Sequence, residues 1–153
     1  MAKLDEVDVK ILSVMQRDAD INVQDLADKV GISKTPCWRR LKKLQQEGFI
    51  QKQVALLDRK KLGFSMMAYV QVTMLDHEIS TLDKFLRFIE DSPFILECNA
   101  IAGNFDYVLK VVVKDTEQLE TFLMRQLLSL GVIQSTNTNF ILREKKSTTA
   151  LPL

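Results

Sequence analysis

The hydrophobic period changes once along this chain, and that change restricts the possible folds more than any other feature. Up to Gly48, apolar side chains recur every three or four residues, as on amphipathic helices. From Ser65 onward, stretches of strict alternation such as 66–74 are interleaved with helical stripes. The 153 residues therefore accommodate a small helical unit followed by a unit of mixed strands and helices.

Three helical segments fit into the first 48 residues. Asp5, Asn22 and Ser33 are suited to cap them, because a short polar side chain satisfies free amides of the first turn. Gly31 suits the left-handed residue that ends the second helix. On a helical wheel, one narrow face of the third helix carries its core residues, Cys37, Leu41 and Leu44. The spacing predicts a helix-turn-helix.

Positive charge is concentrated around the third helix. Residues 31–63 contain nine Lys and Arg against two Asp and Glu, although the net charge of the chain is only +1. Arg39, Lys42 and Lys43 fall on the side of this helix opposite the core stripe. A solvated lysine-rich surface would also carry such charge. The coincidence of charge, turn and helix phase favours a surface that binds DNA.

The second part of the chain follows the order strand, helix, strand, strand, helix, strand. This order predicts an α+β protein, a winged helix-turn-helix followed by a ferredoxin-like βαββαβ domain. The expected domains are 1–52 and 64–153, with an extended connector at 53–63. Two helices would cover one face of the sheet. The other face, with Met67 and Tyr69, would be left bare for a second copy of the chain.

Residue composition leaves little room for catalysis. His77 is the one histidine, and Cys37 and Cys98 lie far apart, so neither a zinc site nor a Cys-His nucleophile is expected. The sequence predicts no enzyme, no metal and no cofactor. No apolar run approaches the ~20 residues that cross a bilayer, and the N-terminus lacks the apolar core of a signal peptide. We therefore expect a cytoplasmic protein with reduced thiols and no membrane partner.

Two motifs carry a family resemblance that spans essentially the whole chain. The first is Gly31-Ile32-Ser33-x-Thr35-Pro36-Cys37-x-Arg39-Arg40-Leu41-x-x-Leu44 with Gly48-Phe49-Ile50. The second is Ala102-Gly103-Asn104-Phe105-Asp106-Tyr107, and the tail 145–153 resembles the usual family ending. With these motifs the chain resembles the Lrp/AsnC transcription regulators.

The resemblance implies that residues near the start of the third helix bind double-stranded DNA. Those expected to read bases in the major groove are Lys34, Thr35, Trp38 and Arg39. Those expected closer to phosphates are Arg40, Lys42 and Lys43. Trp38 has a second interpretation, an aromatic side chain at the edge of the core.

The resemblance also implies an effector, most simply an amino acid. The expected binding residues are Gly103, Asn104, Asp106, Tyr107, Thr136 and Thr138. Gly103 would let backbone amides approach the carboxylate, while Asp106 either faces the ammonium or fixes the loop. A plain hairpin turn at 103–106 and ordinary strand hydroxyls at Thr136 and Thr138 remain alternatives.

The function predicted from these features is sequence-specific DNA binding that responds to a small molecule through oligomeric assembly. By resemblance, homodimers would assemble further into an octamer. Two rivals remain open. One is a small enzyme built on the ferredoxin-like half, and the other is an architectural DNA-compacting protein without an effector.

Overall fold

Three helices form the core of the first unit in the computed structural model, which describes residues 4–153. They are α1 (Glu6–Met15), α2 (Val23–Val30) and α3 (Lys34–Gln46). Their inward faces form one hydrophobic cluster, whose fully buried members are Ile11, Leu26, Ala27, Cys37 and Leu44. The helix-turn-helix expected from the sequence is present, with α2 and α3 as its two helices.

Side-chain caps define where these helices begin. Asp5 and Asp8 form a reciprocal capping box at α1, with distances of 2.9 Å and 3.3 Å between carboxylate and amide. Asn22 accepts a hydrogen bond from the Asp25 amide at α2. Ser33 is the N-cap of α3, but its hydroxyl makes no capping hydrogen bond. Gly31, with φ of 76°, ends α2 in the left-handed conformation that side chains disfavour.

The chain that follows α3 is extended. Residues 51–58 form neither helix nor strand. The paired strands that a wing would contribute are therefore not formed in this stretch, although the sequence predicts a winged motif. The two compact units divide between Leu56 and Leu57, inside the expected connector.

The C-terminal tail groups with the helices of the first unit. The sequence assigns the whole of 64–153 to the second domain, whereas Lys146–Leu153 cluster with the first unit. Gln16 holds the tail, because its side-chain amide donates to the Leu151 carbonyl at 3.0 Å and accepts from the Leu151 amide at 2.7 Å. Leu57–Lys145 form the second unit.

The second unit has the element order predicted from the sequence. It runs β1 (Met66–Met74), α4 (Ile79–Asp91), β2 (Ile95–Ala100), β3 (Tyr107–Val113), α5 (Thr116–Glu120) and β4 (Ile133–Phe140). The sheet order is β2-β3-β1-β4, and all three pairings are antiparallel. This arrangement is the ferredoxin-like split βαβ, so the predicted α+β class is confirmed.

Both helices pack on the same face of this sheet. The core consists of Ala68, Val70, Val72, Met74, Phe85, Leu109, Val111, Val113, Leu119, Phe122, Leu127 and Val132. After α5 the chain continues through a π-helical turn, Thr121–Leu127. A π turn brings residues five apart to one side, so Phe122 and Leu127 both reach the core. The helical stripe in the sequence predicts their burial but not the wider turn.

Within Leu57–Lys145, no helix packs on the opposite face of the sheet. Register places Met67, Tyr69 and Gln71 of β1 there, beside Val112, Lys110 and Val108 of β3. Tyr69 is exposed, but Met67 and Val112 are buried although they belong to neither core cluster. The face is therefore less bare at Met67 than the sequence predicts.

Candidate DNA-binding surface and effector loop

The exposed side of α3 carries the candidate DNA-binding residues. Cys37, Leu41 and Leu44 are buried against the other helices, which fixes the rotation of α3 about its axis. Six of the seven candidates are exposed: Lys34, Thr35, Trp38, Arg39, Lys42 and Lys43. Trp38, which the sequence allows either as a DNA contact or as an aromatic side chain at the edge of the core, is 51% exposed. It is therefore available to a ligand of this surface.

Arg40 has a structural contact that the sequence analysis does not foresee. Its Nη1 atom lies 2.6 Å from Asp5 Oδ2 and 2.8 Å from Asp8 Oδ1. One guanidinium therefore joins α3 to the capping box of α1, and it is not presented outward as Arg39 is. Hydrogen bonds to Asp8 and then to Asp5 also raise the pKa of Arg40 above its ordinary value. Arg40 therefore positions α3 against α1.

The ion pair between Arg40 and Asp5 should make the stability of the chain sensitive to acid. The Asp8 amide and the Arg40 guanidinium lower the pKa of Asp5. A carboxyl group whose pKa is lowered by folding stabilises the folded state above its ordinary pKa of about 4. This stabilisation is lost as the pH falls through the lowered pKa. We therefore expect wild-type unfolding free energy to fall more steeply below about pH 4 than that of Arg40→Gln.

Urea unfolding of both proteins between neutral and acidic pH measures this difference. Lys42→Gln is the matched control, because Lys42 is exposed and takes part in none of the ion pairs of residues 4–153. Its curve should follow that of the wild type. Parallel curves for wild type and Arg40→Gln would show that the bridge contributes nothing to the acid dependence of stability.

The candidate effector loop lies between β2 and β3. Gly103 has φ of 145°, in the region that side chains disfavour, and a Cβ built there meets no atom within 4 Å. The Asp106 amide donates to the Val72 carbonyl at 2.9 Å, and its carbonyl accepts from Ile101 at the same distance. The loop is thus held at its base and open in front of Gly103.

Asp106 fixes this loop through its side chain as well. Oδ2 accepts the Met74 amide at 2.7 Å, and Oδ1 lies 3.1 Å from Nε2 of His77. The Met74 amide, and after it the His77 ring, lower the pKa of Asp106. Of the two roles that the sequence leaves open, fixing the loop is directly visible. His77 has no role in the sequence analysis, since a turn residue with a distant partner leaves no local pattern.

The other candidate effector residues lie unevenly around the loop. Asn104 is exposed on the turn itself. Tyr107 is half-buried, with its ring centroid 4.9 Å from that of Phe85, so it also belongs to the edge of the core. Val72 pairs with both Tyr107 and Thr136, which places Thr136 about 10 Å from Tyr107 across two strand spacings. Thr138 pairs with Val70, one step farther from the loop.

A cavity of about 330 Å³ lies elsewhere in the second unit. Phe94, Asp115, Glu117, Gln118, Thr121 and Gln126 line it. Asp115 follows the far end of β3 from the loop, so none of the six candidate effector residues contributes to this cavity. This cavity is therefore separate from the candidate effector loop.

Neither cysteine has the surroundings of a reactive thiol. Cys37 is buried in the helical core and Cys98 is half-buried, and burial raises the pKa of both. Within residues 4–153, no three His, Cys, Asp or Glu side chains gather as metal ligands. Every helix in the same range is too short or too polar to cross a bilayer.

Comparison with known proteins supplies the family. Residues 67–151 match the Lrp/AsnC ligand-binding domain, and residues 4–51 match a winged helix-turn-helix DNA-binding domain. The chain is 35% identical over 151 residues to the glutamate uptake regulatory protein of Zymomonas mobilis, covering 99% of this chain and 92% of that protein. It is 33% identical over 150 residues to the DNA-binding transcriptional activator DecR of Escherichia coli, covering 98% and 99%.

A solved structure agrees over the same length. The transcriptional regulator NMB0573 of Neisseria meningitidis, in complex with L-Met, superimposes with a TM-score of 0.95. The two chains are 31% identical, and the match covers 98% of this chain and 97% of that one. The helix-turn-helix, the ferredoxin-like unit, the two family models and the relatives all point to the same conclusion. The chain belongs to the Lrp/AsnC family of DNA-binding transcription regulators.

Proposed function

We propose that this regulator binds duplex DNA through the exposed side of α3. The observation that carries the proposal is the phase of that helix, whose apolar side is buried while its cationic side is exposed. The DNA-binding residues would be Lys34, Thr35, Trp38, Arg39, Lys42 and Lys43. An α-helix fits the major groove of B-form DNA, and cations along it can reach bases and phosphates together.

Some of these residues would contact bases and others would contact phosphates. Thr35 lies in the first turn of α3, the part of a recognition helix that contacts base edges, and Arg39 follows one turn later. An arginine there can donate two hydrogen bonds to a guanine. Lys42 and Lys43 lie farther along and act as flexible point charges suited to phosphates. Arg40 would hold α3 against α1 through Asp5 and Asp8.

We propose further that the loop at 103–106 binds an amino acid. A zwitterion needs hydrogen-bond donors for its carboxylate and an acceptor for its ammonium. Open space in front of Gly103 admits a carboxylate to backbone amides, and Asp106 supplies a carboxylate. Asn104 and Thr136 would add polar groups, with Tyr107 and Thr138 behind them. The Neisseria relative, a complex with L-Met, supports this class of ligand.

The helix-free face of the sheet would join two copies of the chain. Its polar groups already pair with one another: Lys110 with Glu97 at 2.9 Å, and Asn137 with Gln71 at 3.2 Å. A second copy could cover them without leaving a buried charge unpaired. Family resemblance extends this dimer to an octamer, with effector pockets completed between dimers. Such a regulator would act on chromosomal DNA in the cytoplasm.

The effector site is tested by thermal shift with the twenty standard amino acids. An amino acid that binds the folded chain raises its melting temperature, so a few should stabilise the wild type. Asp106→Ala removes the acceptor for the ammonium, and Gly103→Val blocks the approach to the backbone. We expect both variants to lose the shift while still binding DNA without effector.

Asp83→Ala is the control, since Asp83 is an exposed carboxylate of α4. It should keep the full shift. If calorimetry finds the same amino acid bound as tightly by Asp106→Ala and Gly103→Val as by the wild type, the effector site lies elsewhere. If no amino acid stabilises the wild type, the architectural DNA-binding alternative gains support.

A further inference from the structure

The turn between β1 and α4 places the one histidine of the chain against the effector loop. Nε2 of His77 lies 3.1 Å from Asp106 Oδ1, although the two residues are 29 positions apart. The His77 side chain is 69% exposed, whereas that of Asp106 is 28% exposed. The imidazole can therefore swing into solvent, while the carboxylate stays where the fold holds it.

The two oxygens of Asp106 differ in availability. Oδ2 accepts the Met74 amide at 2.7 Å, a hydrogen bond that ties the loop to the end of β1. The backbone of Asp106 is fixed as well, because its amide donates a hydrogen bond to the Val72 carbonyl. A ligand that displaced the Met74 amide from Oδ2 would break this contact with β1. Oδ1 can be vacated without loss of a backbone hydrogen bond, because its partner within residues 4–153 is the exposed His77 ring.

We propose that His77 belongs to the effector site and holds the place on Asp106 Oδ1 that the ammonium of an amino acid takes. The effector then binds by displacing the imidazole. It binds less tightly when the imidazole carries a positive charge, because a charged ring bonds the carboxylate more strongly and repels the ammonium. This inference rests on the proposed effector site at 103–106.

Acidic side chains surround the His77 ring. Asp106 faces the ring from the loop before β3, and Asp76 and Glu78 flank it on its own turn. The pKa of Asp106 is lowered mainly by the Met74 amide, and that of Asp76 mainly by the Thr81 hydroxyl. Carboxyl groups ordinarily titrate near pH 4 and histidines between about pH 5 and 8. The carboxylates of Asp106 and Asp76 therefore stay charged above pH 5.

The test measures amino-acid affinity as a function of pH in the full-length protein. The probe is L-methionine or, if it causes no thermal shift, the uncharged-side-chain amino acid with the largest shift. We expect its dissociation constant for the wild type to rise roughly tenfold from about pH 8 to about pH 5.5. His77→Gln keeps a hydrogen-bond donor without the charge, and its dissociation constant should change less than about twofold. Lys84→Gln, an exposed charge change on α4, should behave as the wild type.

A second readout uses the uniqueness of the histidine. NMR signals of the imidazole report on His77 alone. By reciprocity, a proton that weakens effector binding is itself bound more weakly in the complex. Saturation with the amino acid should therefore shift the signals of His77 and move their titration midpoint to lower pH.

The outcomes separate the two proposals. Loss of binding in Asp106→Ala together with a flat wild-type profile would overturn the role of His77 and leave the effector site standing. The role of His77 would also be overturned if His77→Gln kept the tenfold dependence or lost binding at every pH. If no amino acid binds, or if Asp106→Ala binds as well as the wild type, the effector site is wrong and this inference fails with it.

Discussion

Replacing Arg39, Lys42 and Lys43 together by alanine should lower the affinity for duplex DNA at least roughly a hundredfold at physiological salt. All three side chains lie on the exposed side of α3, where none supports the helical core. Each lost phosphate contact should also reduce the slope of log affinity against log salt by about 0.9. Fluorescence anisotropy over a range of salt concentrations measures both quantities.

Single substitutions should separate positioning from base reading. Lys42→Ala and Lys43→Ala should weaken binding to all sequences alike, whereas Arg39→Ala and Thr35→Ala should also relax the preference between sites. A triple variant of exposed lysines outside α3, with Lys10, Lys84 and Lys114 changed to alanine, removes the same charge and is the control. If the α3 triple variant binds as tightly as the wild type with an unchanged salt slope, α3 is not the DNA-binding element.

Tyr69→Lys should convert the assembled protein into monomers. Tyr69 is 42% exposed on the helix-free face, so a lysine costs the isolated chain little. In a dimer closed over this face, the new ammonium would be buried next to Lys110, the partner of Tyr69 in the β1–β3 register. Removing an unpaired charge from water costs several kcal/mol, enough to separate the copies at micromolar concentration.

Light scattering coupled to size exclusion measures the assembled mass. Leu86→Lys is the matched control, because Leu86 is 43% exposed but lies on α4, at the other face of the sheet. It should keep the dimer. A folded wild-type monomer at micromolar concentration, or a Tyr69→Lys variant with the wild-type mass, would contradict the proposed interface.

Local patterns in the sequence predict much of this molecule. The caps at Asp5 and Asn22 and the left-handed Gly31 depend on nearest neighbours, and all appear where local chemistry puts them. Alternation along β1 likewise predicts its buried face correctly, because one face of a strand in a two-layer unit must meet the helices. The ferredoxin-like order follows from these elements. Periodicity also predicts the phase of α3, and thus which cations face outward.

Contacts between distant residues were not predictable in the same way. Arg40 reaches Asp5 and Asp8 across more than thirty positions, and the family resemblance groups it only with the cations expected near phosphates. His77 reaches Asp106 across 29 positions, and Gln16 reaches Leu151 across 135. Each of these pairs depends on the packing of whole elements. Without that packing, a polar side chain offers no clue to its partner.

We infer that this chain is a DNA-binding regulator whose site occupancy responds to an amino acid. The most direct measurement selects fragments of the source genome with the purified full-length protein, with and without a mixture of the twenty amino acids. We expect a limited set of enriched fragments, and amino acids should change the enrichment or the spacing of the bound sites. The Asp106→Ala variant should select the same set whether or not they are present. Fragments recovered in proportion to their abundance, or a wild-type set that amino acids leave unchanged, would contradict the account.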